Sequence, residues 1–148
     1  MVPVYHGKDL RKGRVSIPGQ IYHVTTVTRA REPVFQDLNS ARRVIQVLME
    51  IQSHELADTL AFVVMPDHVH WLLQLGERRP LSCVIASMKS ISARRIGRGK
   101  IWLAGFHDHA LRRDEDLRQV ARYIVANPLR AGLVDDIGHY PHWDAIWL

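Results

Sequence analysis

Apolar positions along this chain alternate between two spacings, and the changes of spacing mark its elements. Gln20 to Thr28 (QIYHVTTVT) is β-branched and aromatic and follows the turn residues Pro18 and Gly19, which predicts a strand. From Ser40 to His54 the apolar residues Val44, Val47, Leu48 and Ile51 recur at helical spacing behind Ser40 as N-cap. Leu60 to Met65 and His68 to Leu75 read as two strands joined at Pro66-Asp67, a hairpin. Leu81 to Ile96 predicts a helix with Val84, Ile85, Met88 and Ile91 on its apolar side, closed by a loop at Gly97 to Gly99. A strand follows near His107 to Leu111, and Asp114 to Asn127 predicts a last helix that ends before Pro128.

The order strand, helix, hairpin, helix, strand, helix is that of a split βαβ pair. It predicts an α+β, ferredoxin-like fold: an antiparallel four-stranded sheet with the helices packed on one face and the C-terminal helix carrying Tyr123. The 148 residues, 47% hydrophobic and 24% charged, suit one domain spanning 1–148. Residues 1–18 and the tail after Asp135 read as extensions that wrap it. The lone Cys83 excludes a disulfide scaffold and suits a reducing cytoplasm. No apolar run of about 18 residues predicts a membrane span, and the basic N-terminus lacks the apolar stretch of a secretory signal.

Charge adds a candidate partner. The formal net charge is +5, but its sign is blocked along the chain. Residues 78–107 hold seven bases (Arg78, Arg79, Lys89, Arg94, Arg95, Arg98, Lys100) and no acid, whereas residues 32–77 set Arg42 and Arg43 against seven acids. A solvated basic face and a polyphosphate partner both produce such a block. Sixteen arginines against four lysines favour the second, because the guanidinium fork matches phosphate oxygens.

Two segments carry candidate chemistry. In Met65-Pro66-Asp67-His68-Val69-His70-Trp71, a strand would point His68 and His70 to one face and Val69 into the core. Their side chains would start about 7 Å apart, from which two imidazoles can converge on one metal ion. Nine histidines in this length make about half an HxH by chance, and His107-Asp108-His109 is a second instance, so spacing alone leaves half-exposed strand histidines equally open. On a helix, Tyr123 and Asn127 stand at i and i+4 and share a face. Alone, they also fit a core-edge tyrosine and an amide cap before proline.

Together, MPDHVHWLL and YIVANPLRAGLV, with GKIWLAGFHDHALR between them and IYHVTTVTRAREPVF before them, resemble the REP-associated tyrosine transposases. These are a branch of the single-tyrosine HUH transposases of bacterial insertion sequences. The resemblance covers roughly Ser16 to Val134, which would be the core. It implies that His68 and His70 are the HUH pair holding a divalent ion, Mg2+ or Mn2+, that Asn127 is the third ligand, and that Tyr123 is the nucleophile. The implied activity is endonuclease and strand transferase on single-stranded DNA beside a hairpin, through a 5′-phosphotyrosine. Phosphate contacts would come from Lys12, Arg14, Lys89, Arg94, Arg95 and Arg130, and base stacking from Trp71 or Trp102. The chain would be a cytoplasmic monomer, with a homodimer the other possibility, and not a membrane protein. Two other readings fit the same residues: a metal-dependent phosphodiester hydrolase using activated water, and a catalytically silent nucleic-acid-binding module.

Overall fold

A computed structural model describes residues 16–147. The chain folds in the order β1 (Ile21–Val27), α1 (Leu38–Ser53), β2 (Ala57–Val64), β3 (His68–Leu75), α2 (Leu81–Ile96), β4 (His107–Ala110), α3 (Leu117–Val125), α4 (Asn127–Arg130) and β5 (Trp143–Ala145). The strands form one antiparallel sheet in the order β4-β1-β3-β2-β5. The first four strands have the expected ferredoxin-like order, and β5 adds a fifth at the β2 edge.

Strand periodicity divides the packing between two faces. Tyr22 and Val24 of β1, Phe62 and Val64 of β2 and Val69, Trp71 and Leu73 of β3 point to one face. They pack with Val44, Val47, Leu48 and Ile51 of α1 and Val84, Ile85 and Met88 of α2. Ala61, Val63 and Leu72 point to the other face, against Ala121 and Ile124 of α3. The expectation of helices on one face is thus corrected: α1 and α2 lie on one side and α3 on the other. The cause is visible in β3, where Leu72 is fully buried on the side that Val69, Trp71 and Leu73 do not use.

Local chemistry fixes the ends of the elements. Asp37, not Ser40, caps α1, its carboxylate accepting from the Ser40 N–H at 3.1 Å and the Ser40 hydroxyl at 2.8 Å. Gly97 ends α2 in the left-handed region at φ +75°, which its missing Cβ permits. The last predicted helix, Asp114 to Asn127, is shorter, Leu117–Val125, and a separate short helix that the sequence did not predict, Asn127–Arg130, follows it. Regular α3 stops at Val125, because Pro128 has no N–H to offer the Ile124 carbonyl. The Asn127 side chain donates to that carbonyl instead, at 2.8 Å. In the tail, Tyr140 Oη donates to the Val64 carbonyl at 2.6 Å and Trp143 Nε1 to the Ile137 carbonyl at 3.0 Å, seating β5 on β2. Among the described residues, no helix is long and apolar enough to cross a membrane.

Candidate metal and nucleophile site

The histidine face is built by register. Thr25 of β1 lies directly opposite His70 of β3, and Val27 opposite His68. Directly paired residues share a face, so His23 and Thr25 stand beside His68 and His70 on the side that α3 covers. Turn geometry holds the strand starts together. Thr28 donates its backbone N–H and its hydroxyl to the Asp67 carbonyl, both at 3.0 Å, and the Met65 N–H reaches the His68 carbonyl at 2.8 Å.

The two imidazoles are perpendicular, with ring centroids 4.9 Å apart. His68 Nδ1 lies 2.7 Å from Asp67 Oδ1, and the carboxylate can only accept, so the proton sits on Nδ1. Arg31 reaches the other Asp67 oxygen at 3.6 Å from a turn in which Ala30 and Arg31 both have positive φ, 53° and 54°. Such backbone costs about 1–2 kcal/mol per non-glycine residue, and hydrogen bonds hold this exposed turn: Arg29 N–H to the Ile101 carbonyl at 2.9 Å, Arg31 N–H to the Thr28 carbonyl at 3.2 Å and the Thr28 hydroxyl to the Glu32 carbonyl at 2.8 Å. His70 Nδ1 has two neighbours, His23 Nε2 at 3.0 Å and Thr25 Oγ1 at 3.1 Å.

Both Nδ1 atoms are therefore engaged; in His68 this leaves the Nε2 lone pair free for an ion, and in His70 it does so when the ring proton is on Nδ1. Burial, reinforced by His68, His23 and Arg130, pushes His70 down to about 3, which keeps it in the neutral form a metal requires. His23 is lowered too, by burial and then by His109. This donor set fits a divalent ion. Among the described residues, no group of three or more His, Cys, Asp or Glu is arranged to hold one. Further ligands would have to be amide, phosphate or water oxygens, and the amide oxygen of Asn127 is compatible with that role.

Tyr123 is 61% exposed on α3, so its hydroxyl is open to a large substrate. Arg130 of α4 lies over the Tyr123 ring, 3.8 Å from Cζ to the centroid, a cation–π contact. The charge of the same guanidinium also contributes to the lowering of His70, the smallest of its four causes. The break at Ala126 leaves Asn127 at the start of α4 rather than one turn along the Tyr123 helix.

The other predicted contact residues lie elsewhere. Lys89, Arg94 and Arg95 belong to α2, across the sheet from the histidines. Lys89 donates to the carbonyls of Leu103, at 2.8 Å, and Gly105, and burial lowers it to about 8. Arg95 forms a two-pronged pair with Glu50, and Arg94 is exposed beside Ser90. Trp71 is buried with Nε1 donating to Thr59 Oγ1, and Trp102 donates to Ser92 Oγ, both at 3.0 Å, so neither is a stacking platform. Lys12 and Arg14 lie outside the described residues. Sequence reasoning overlooked His23, Thr25, Asp67 and Arg31. The first two were recoverable from the period of two in β1, which puts them opposite the Tyr22–Val24 core positions.

Comparison with known proteins gives the family and the fold. Residues 16–125 match the family described as "Transposase IS200 like". A Haemophilus influenzae protein, provisionally named a REP-associated tyrosine transposase, is 27% identical over 141 residues, covering 84% of this chain and 78% of its own. The Escherichia coli REP-associated tyrosine transposase is 32% identical over 83 residues, 55% of this chain and 50% of that one. The structure of a REP-associated tyrosine transposase bound to a REP hairpin superposes with a TM-score of 0.77 at 23% identity, covering 96% of this chain and 82% of that one. The last likeness shows the fold.

Proposed function

The chain belongs to the IS200-like transposase family, and on that premise we propose that it is a divalent-metal-dependent endonuclease and strand transferase. Its substrate is single-stranded DNA beside a hairpin, and Tyr123 is the nucleophile. The observation that carries the reading is the pair His68 and His70, set side by side with both Nδ1 atoms engaged, together with Arg130, whose guanidinium lies over the Tyr123 ring and whose charge also acts on His70.

His68, His70 and the Asn127 amide oxygen would hold Mg2+ or Mn2+. Once bound, the ion would supply Lewis-acid polarisation of the scissile phosphate. The rest is done by side chains. Tyr123 Oη attacks phosphorus, the bond to the 3′ oxygen breaks, and that oxygen leaves as a hydroxyl with the proton taken from the tyrosine. Arg130 offsets charge where the phenolic oxygen loses its proton and where the phosphate arrives. The phosphotyrosine diester conserves the bond, so a second DNA 3′-hydroxyl can reverse the step without a nucleotide cofactor.

The test is a denaturing gel of purified protein with end-labelled single-stranded hairpin oligonucleotides, in Mn2+ or EDTA, with Tyr123→Phe alongside. The account expects a metal-dependent protein–DNA adduct retaining the 3′-side fragment, absent in Tyr123→Phe. Cleavage that survives Tyr123→Phe would replace it with metal-activated hydrolysis, and binding without cleavage by the wild type would replace it with a silent binding module.

A further inference from the structure

The two histidines are held in different ways. His68 faces a carboxylate, which cannot donate, so only its Nδ1–H form is compatible with the 2.7 Å contact to Asp67. His70 faces Thr25 Oγ1 at 3.1 Å and His23 Nε2 at 3.0 Å, and each of these atoms can either donate or accept. A neutral imidazole carries a single ring proton. If His70 holds it on Nδ1, Thr25 or His23 accepts, and the Nε2 lone pair is free to act as a ligand. If His70 holds it on Nε2, Thr25 and His23 donate to Nδ1, and no lone pair remains for an ion on the other side.

We propose that His23 and Thr25 are positioning residues that act as acceptors for His70 Nδ1–H, fixing the ring plane and leaving Nε2 as the metal donor. The inference rests on the reading of His68 and His70 as a metal pair. The ring contact supports it: the His23 and His70 rings are tilted at 44° with centroids 5.2 Å apart, and His23 Nε2 meets His70 Nδ1 at 3.0 Å, a hydrogen-bonding rather than a stacking arrangement. Register supports it as well, since Thr25 is the direct cross-strand partner of His70 and cannot leave without disturbing β1. Residues that orient metal-bound histidines typically change metal affinity about 10–100-fold when replaced.

The test uses Mn2+ alone, without DNA, titrated into the metal-free full chain and followed by the electron paramagnetic resonance of free Mn2+. Thr25→Val is close to isosteric, and the Thr25→Val/His23→Leu double variant removes both acceptors. The double variant should bind Mn2+ about 10–100-fold more weakly, with His23→Gln, which keeps an acceptor, near wild type. In the metal-free wild type, nitrogen-15 shifts of His70 should report the Nδ1–H form, a readout that does not depend on any variant folding. Nε2–H at His70, or unchanged Mn2+ affinity in a folded double variant, overturns the inference, and tight Mn2+ binding by the wild type in the same titration keeps the metal pair. A wild type that binds no Mn2+ removes the metal pair and the inference together.

Discussion

Ile124→Ala tests how the fold presents the nucleophile. Ile124 is fully buried beside Ala121 and sits next to Tyr123 on α3. At nine residues, α3 is shorter than the about 12–15 that an isolated helix needs, so packing against Ala61, Val63 and Leu72 holds it in place. Removing three carbons forfeits about 2.4 kcal/mol of transfer free energy, and with the cavity left behind the loss is about 2–5 kcal/mol. The better helix propensity of alanine returns only a few tenths of a kcal/mol. For a chain of this size the melting temperature should fall by roughly 5–15 °C. Amide exchange should accelerate first in α3, by about tenfold for each 1.4 kcal/mol by which its docking weakens, while adduct formation slows only as far as the undocked helix becomes populated. Ile124→Val, which costs about 0.5–1.5 kcal/mol, provides the graded comparison. A melting temperature within a degree of wild type, or α3 amides in Ile124→Ala that exchange no faster than in wild type, would refute the reasoning.

Three further outcomes are expected. Tyr140→Phe removes the 2.6 Å bond to the Val64 carbonyl, so it should cost about 1 kcal/mol and raise amide exchange in β5, as hydrogen-exchange mass spectrometry would show. Arg95→Ala breaks an exposed pair with Glu50 on the face away from the histidines, so adduct formation should stay within about twofold of wild type in the gel assay. For metal-free protein, His70 gives stability a pH dependence of definite sign. Burial first, then His68, His23 and Arg130, lower it to about 3 from an ordinary 6.5, so below pH 6.5 the unfolded chain takes up a proton the folded chain refuses. Stability is full above that pH and declines toward about 3, and melts in EDTA should show a shallower slope in His70→Gln.

Much of this was written in local pattern. The Val44–Ile51 and Val84–Ile91 spacings announced α1 and α2, and the alternation of His68, Val69 and His70 announced which side chains share a face. What was not legible depends on contacts between distant segments. β5 is three residues long, and Trp143–Ala145 becomes a strand only because the β2 edge accepts it. Asp58 and Thr59 look like turn residues, yet they extend β2 backward because Thr59 has the Trp71 indole as a partner. Lys89 and Arg95 read as phosphate ligands in a basic block, and the carbonyls of the 103–105 loop and Glu50 claim them instead. Asn127 kept both of its readings. Its amide nitrogen caps Ile124 beside Pro128, and its amide oxygen stays compatible with a metal. The face that His23 shares with Thr25 follows from the period of two in β1, but its place beside His70 needed the β1–β3 register, which no single strand encodes.

The central claim is that Tyr123 becomes covalently bonded to DNA. The most direct measurement is peptide mapping by mass spectrometry of protein incubated with Mn2+ and a single-stranded hairpin oligonucleotide, followed by nuclease trimming. The account predicts a 5′-linked nucleotide on the peptide containing Tyr123, lost in EDTA and in His68→Ala. An adduct on another residue, or cleaved DNA with Tyr123 unmodified at every time point, would contradict it.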